Sequence, residues 1–108
     1  HRRQQRRIHL RQGLLAIAQD VPIYEQYTVA LLLRAGLMRA DGVPTEEGRR
    51  LAAKACRDED RWAVARNMHA HEAVVSRYDG LHPLESLLTV DEIAEIDRQL
   101  AVNGEGCG

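Results

Sequence analysis

The 108-residue chain is 44% hydrophobic, contains no Phe, one Trp and three Tyr, and carries a formal net charge of −1, so a single modest core of Leu, Ala, Ile and Val is expected. No stretch approaches the roughly 18–20 consecutive apolar residues of a membrane span, and no signal peptide is read. Two cysteines far apart in sequence, Cys56 and Cys107, supply neither a disulfide framework nor a metal spacing, which fits a reducing, cytosolic setting. The charge is uneven: residues 1–57 hold 11 Lys+Arg against 5 Asp+Glu, and residues 58–108 hold 4 against 11. Such a dipole suits either two surfaces for two partners or halves packed against each other.

The first element runs from Arg2 to Gln19, with Leu10, Leu14 and Ile17 at steps of four and three on one face of an amphipathic helix. Arg2, Arg3, Arg6 and Arg7 crowd its first two turns, where the helix dipole disfavours cations, and no capping residue precedes them. With no initiator Met, the chain reads as part of a longer protein. Arginines in this position suit the cytoplasmic edge of a membrane span or an ordinary solvated linker. Asp20-Val21-Pro22 is a capping acid before a proline tolerated in a first turn, and Ile23, Tyr24 and Tyr27 then read as a short second helix. One continuous helix from Pro22 to Ala35 competes with this.

Thr28 is a good N-cap for the apolar run Val29 to Leu33, and Gly36 is the left-handed stop. Leu37 to Arg39 lead into Asp41-Gly42, a two-residue hairpin turn, with Val43 as the returning strand. Pro44-Thr45-Glu46-Glu47 caps a long helix with Leu51, Ala52, Ala55 and Cys56 inward. That helix reaches about Met68, with a solvated middle at Arg57 to Arg61 and Trp62 back in phase. His71 to Tyr78 is helical and stops at Asp79-Gly80, and His82-Pro83 opens a turn through Leu84, Leu87 and Leu88. Thr89-Val90-Asp91-Glu92 is a capping box that launches a helix carrying Ile93, Ile96 and Leu100 on one face. The expected fold is mainly α: a winged helix-turn-helix with a short two-stranded wing and additional C-terminal helices. It forms a single domain over 1–108, with a winged-helix core at 1–56, a helical extension at 57–102 and a flexible tail at 103–108.

A winged helix raises DNA binding, and Thr28, Arg34 and Arg39 are the candidate contacts. A groove reader needs several Arg, Lys, Asn or Gln side chains on its recognition helix, whereas this one carries Leu31, Leu32 and Leu33. Successive helical residues turn about 100°, so at least one leucine, expected to be Leu31, faces outward. These three leucines are the candidate protein-contact surface. His69, His71, Glu72 and His82 are the candidate metal ligands, imidazole with carboxylate suiting zinc, manganese or iron. Their spacing lacks the i, i+4 pairs of helical sites, and solvated surface histidines are the plainer reading. No nucleophile elbow, phosphate loop or Cys/His pair is present, so no catalytic residue and no cofactor is assigned and the chain reads as a non-enzyme.

The passages LLLRAGLMRADGVPTEEGRRLAAKACRDEDRW and MHAHEAVVSRYDGLHPLESLLTVDEIAEIDRQL resemble the C-terminal cytoplasmic extension of bacterial metal ABC transporter permeases, the manganese, zinc and chelated-iron importers. The G-L-M-R, turn, T-E-E-G-R pattern also resembles the winged-helix region of iron-dependent repressors, without their dense metal-ligand set or polar recognition helix. The first resemblance implies a regulatory or structural module on the cytoplasmic side of the bacterial inner membrane. Its partners would be the rest of the permease and its ATPase subunit, with a homodimer as a further option and no small-molecule substrate. The second implies a metal-responsive DNA-binding regulator.

Overall fold

The structure is a computed structural model describing residues 2–80 and 82–103. Within them the chain is mainly α: α1 (Arg2–Ala18), α2 (Gln26–Arg34), α3 (Glu46–Asn67), α4 (Glu72–Val75) and α5 (Val90–Asn103), with a 3₁₀ turn at Leu84–Ser86. Two compact units divide between Cys56 and Arg57, inside α3, and each has a hydrophobic core of its own. The expected tail lies outside the described residues apart from Asn103, which belongs to α5.

In the first unit Leu10, Leu14 and Ile17 of α1 pack with Ile23, Val29 and Leu51 around buried Leu32, Leu37 and Met38. The helices meet at Gly13, where an added Cβ would stand 2.8 Å from Thr28 Cγ2 and 3.0 Å from Leu32 Cδ1. Close approach there explains why Thr28 is not the N-cap of α2 as expected. It lies within the helix and is buried, and the cap is Glu25. The segment leading up to Glu25, expected as a separate helix or as the start of a continuous one, is non-helical. Asp20 is likewise not a capping acid for a second helix. It holds φ +56° and ends α1, with its own N–H donating to Ile17 O (3.2 Å) and Val21 N–H to Ala16 O (2.9 Å).

Gly36 stops α2 as expected. At φ +73° it lets Leu37 N–H reach Leu32 O (2.9 Å) while its own N–H meets Leu33 O (3.2 Å), the paired bonds of a Schellman ending. The two-stranded wing is corrected to one isolated antiparallel bridge between Met38 and Pro44. Arg39 N–H donates to Val43 O (2.8 Å) and Gly42 N–H to Arg39 O (2.9 Å), which closes a three-residue loop. Gly42 alone in it takes positive φ, +87°, the pattern of a type I turn followed by a bulge. Asp41 keeps an ordinary φ, and its Oδ1 accepts from Val43 N–H (3.1 Å). Thr45 N–H donates to Leu37 O (3.0 Å) on the far side of the bridge, and pairing stops there because Leu37 N–H is committed to Leu32 O and α3 begins at once.

Thr45 caps α3 as the sequence predicts, its Oγ1 accepting from Gly48 N–H (3.1 Å) and donating to Gly36 O (2.8 Å). Gly48 has the tightest surroundings of the unit, since a Cβ there would lie 2.0 Å from Leu37 O. Cys56 is fully buried and is not a free thiol. Cysteine usage therefore carries no argument for a reducing compartment.

In the second unit Val64, Ala65, Leu84, Leu88 and Ile96 form the buried core, flanked by Trp62, Met68, Val74, Tyr78, Ile93 and Leu100. The expected solvated middle of α3 is corrected at Asp58, which is 9% exposed. Its Oδ1 accepts from Leu84 N–H (3.1 Å) and its Oδ2 from the Tyr78 hydroxyl, so a carboxylate fixes the 3₁₀ turn and an aromatic ring from inside the charged run. Tyr78 stacks on Trp62 with ring centroids 4.3 Å apart. The expected helix from His71 to Tyr78 shrinks to the four residues of α4, because Tyr78 is drawn to Asp58 and Trp62 instead of continuing it. The Thr89 capping box forms in full: Thr89 N–H donates to Glu92 Oε1 (2.9 Å) and Glu92 N–H to Thr89 Oγ1 (3.2 Å).

Urea denaturation measures what these contacts contribute. Gly48→Ala forces Cβ onto a backbone carbonyl and costs roughly 3 kcal/mol, whereas Gly36→Ala meets open space and costs only the left-handed strain, about 1 kcal/mol. Asp58→Ala strands a backbone N–H and a tyrosine hydroxyl for a loss of about 3 kcal/mol. Asp58→Asn, keeping one acceptor oxygen, falls between it and the parent.

Candidate functional site

The helical repeat of α2 separates its residues into two faces. Thr28 (3% exposed), Leu31 (8%) and Leu32 (0%) are inward, while Tyr27 (44%), Ala30, Leu33 (40%) and Arg34 are exposed. The sequence expectation that one of three leucines faces out holds, but the outward residue is Leu33, not Leu31. Tyr24, just ahead of the helix, is 88% exposed. The outer face of α2 is therefore mostly apolar, an aromatic ring and an isobutyl group flanking a methyl.

His9 of α1 braces this helix from beneath. Its Nδ1 lies 3.3 Å from Thr28 Oγ1 and 3.6 Å from Glu25 Oε1, and its ring meets Tyr27 edge-on at 5.0 Å. Sequence reasoning gave no role to His9, Tyr24 or Tyr27 at a surface. The readable signal was a three-residue spacing from Tyr27 to Leu33 on a helix whose opposite side is occupied by Thr28, Leu31 and Leu32.

The candidate DNA contacts do not form a groove-reading set. Thr28 is buried under α1, Arg39 is paired with Asp41 through Nη2 and Oδ2 at 3.0 Å, and Arg34 is exposed at the end of α2. The candidate metal ligands are all exposed and held in separate roles. His69, at φ +51°, is the left-handed stop of α3: its N–H donates to Arg66 O (3.2 Å) and Ala70 N–H to Ala65 O (3.2 Å). His71 Nε2 meets Glu92 Oε2 at 2.8 Å, His82 Nδ1 lies 3.3 Å from Asp79 Oδ1, and Glu72 opens α4. Among the described residues no three His, Cys, Asp or Glu side chains converge as a metal site.

Two charged centres in the second unit do converge. Arg61 donates through Nε and Nη2 to the two oxygens of Asp97 (2.8 and 3.0 Å) and through Nη1 to Glu85 Oε1 (2.7 Å). The Asp97 hydrogen bonds chiefly raise its pKa above the ordinary guanidinium value. Glu92 is held below its usual 4.5, first by the hydrogen bond from Thr89 N–H and further by the Thr89 hydroxyl contact and His71. These are ion pairs within the packed unit. In the first unit an open groove of about 270 Å³ lies among Ile17, Val21, Ile23 and Met38, with Asp20 as its ionisable side chain.

Comparison with protein-family models, with curated proteins and with solved structures returned no match. Among the described residues no helix is long and apolar enough to cross a membrane.

A depressed carboxyl pKa stabilises the fold above its unfolded value, and this stability is lost as pH falls through the folded value. Glu92 therefore contributes fully above pH 4.5 and progressively less below it. Glu92→Gln is expected to flatten this acid limb in a pH series of thermal melts. Thr89→Ala is expected to remove the cap at a cost of about 1 kcal/mol.

Proposed function

We propose that the chain is a non-enzymatic module that acts through protein–protein contact, with the outward face of α2 as its docking surface. In the fuller reading it is a cytoplasmic regulatory or structural module of a metal-ion ABC importer permease, and the docking partner is the permease or its ATPase subunit. The observation that carries the contact is the row Tyr27, Ala30 and Leu33 beside Tyr24. Exposed aromatic and aliphatic groups at this spacing suit the desolvated centre of an interface. Their hydrogen-bonding groups are two tyrosine hydroxyls, short of the Arg, Lys, Asn and Gln set that reads base edges. The order α1, α2, tight turn and capped α3 supports reading the first unit as an abbreviated winged helix. The sequence resemblance to importer extensions supplies the assignment to a permease.

The test is a pair of neighbouring substitutions. Leu33→Glu places a charge on the surface and should change stability by no more than about 0.5 kcal/mol, while Leu32→Glu buries one and should unfold the first unit. A photo-crosslinker at position 30, on the same exposed face, in cells of the natural host, should capture the permease or its ATPase subunit, and Leu33→Glu should abolish the capture. Crosslinking to nucleic acid instead, or an unaltered yield with Leu33→Glu, would overturn the reading.

A further inference from the structure

Arg2, Arg3, Arg6 and Arg7 fill the first two turns of α1, and residues 2–8 are exposed on every side of the helix. None of the four arginines pairs with an acid among the described residues. At about 100° per residue, the mean direction of these arginines coincides with that of Leu10, Gly13, Leu14 and Ile17. The face of α1 that is apolar along the core of its unit thus becomes guanidinium where the helix runs beyond it.

This arrangement is unfavourable in isolation. Arg2 and Arg6, and Arg3 and Arg7, are like charges at i, i+4. No acidic residue lies among residues 2–8 to offset the repulsion. A dense anionic surface would offset it.

We propose that this arginine face binds the anionic phospholipid surface of a bilayer. The inference rests on the reading of the chain as part of a membrane permease, and it names a second partner distinct from the α2 contact. Guanidinium groups pair with phosphodiesters bidentately and remain charged at any physiological pH. A bilayer requires only local charge density, which two helical turns provide. A duplex is fixed by phosphate contacts from several elements, and here Arg39, the basic side chain of the tight turn, is already paired with Asp41. A protein interface needs an apolar centre, and of residues 2–8 Ile8 alone is hydrophobic.

The experiment is co-sedimentation of the 108-residue chain with vesicles of phosphatidylcholine alone and of phosphatidylcholine mixed with phosphatidylglycerol, over a salt series. The variant R2Q/R3Q/R6Q/R7Q, Leu33→Glu and a duplex DNA competitor are run alongside, with circular dichroism to show that each variant is folded. Binding should require phosphatidylglycerol, weaken with salt and be unaffected by Leu33→Glu. It should fall about fivefold for each arginine removed, and on the order of several hundredfold for all four. Equal binding to both vesicle types, undiminished binding by the quadruple variant, or preferential binding to the duplex would each overturn the proposal. Failure of the α2 reading shows separately, as an unaltered crosslinking yield in Leu33→Glu.

Discussion

Where the helices stop determines where everything else can lie. α1, α2 and α3 all end on a left-handed residue followed by a pair of backbone bonds that satisfies two otherwise orphaned carbonyls. Gly36 adopts that conformation without strain, whereas Asp20 and His69 adopt it with side chains attached, a cost that surrounding contacts must offset. In the first unit the stop at Gly36 also delivers Leu37 O to the edge of α3, where only a glycine at position 48 leaves room for it. The unit is therefore held by backbone approaches at Gly13 and Gly48 as much as by its apolar side chains.

The second unit uses charge in its interior. Asp58 holds the 3₁₀ turn and Tyr78 from a helix position surrounded in sequence by other charges, and one turn on Arg61 clasps Asp97 and Glu85. Each contact joins α3 to a segment more than fifteen residues away. A small core without Phe gains positional specificity in this way, because a bidentate pair or a carboxylate between two donors tolerates little displacement.

The histidines illustrate how a chemically suggestive cluster is dispersed by folding. His69 terminates a helix, His71 extends a capping box by pairing with Glu92, and His82 pairs with a nearby aspartate. Among the described residues two surfaces then stand exposed, the mostly apolar outer side of α2 and the arginine turns of α1. They differ in chemistry and lie on separate helices, so they suit different kinds of neighbour.

The mainly α class, the extent of α1, the stop at Gly36, the Thr45 cap and the Thr89 capping box were legible in the sequence, because each depends on residues within a few positions of one another. The three-leucine run also required an outward leucine on geometry alone. Tertiary packing decided which one: burying Thr28 against Gly13 set the rotation of α2 and turned Leu33 out. It also reduced the wing to one bridge, since Leu37 N–H is committed to the end of α2 and Thr45, which donates to Leu37 O, opens α3 at once. Asp58 was read as solvated because its neighbours are charged, and only the return of Leu84 and Tyr78 from distant positions in the chain gives its carboxylate donors that replace water. Local propensity records what a residue can do with its neighbours; burial and long-range hydrogen bonds depend on which segments meet, and that is a property of the folded chain.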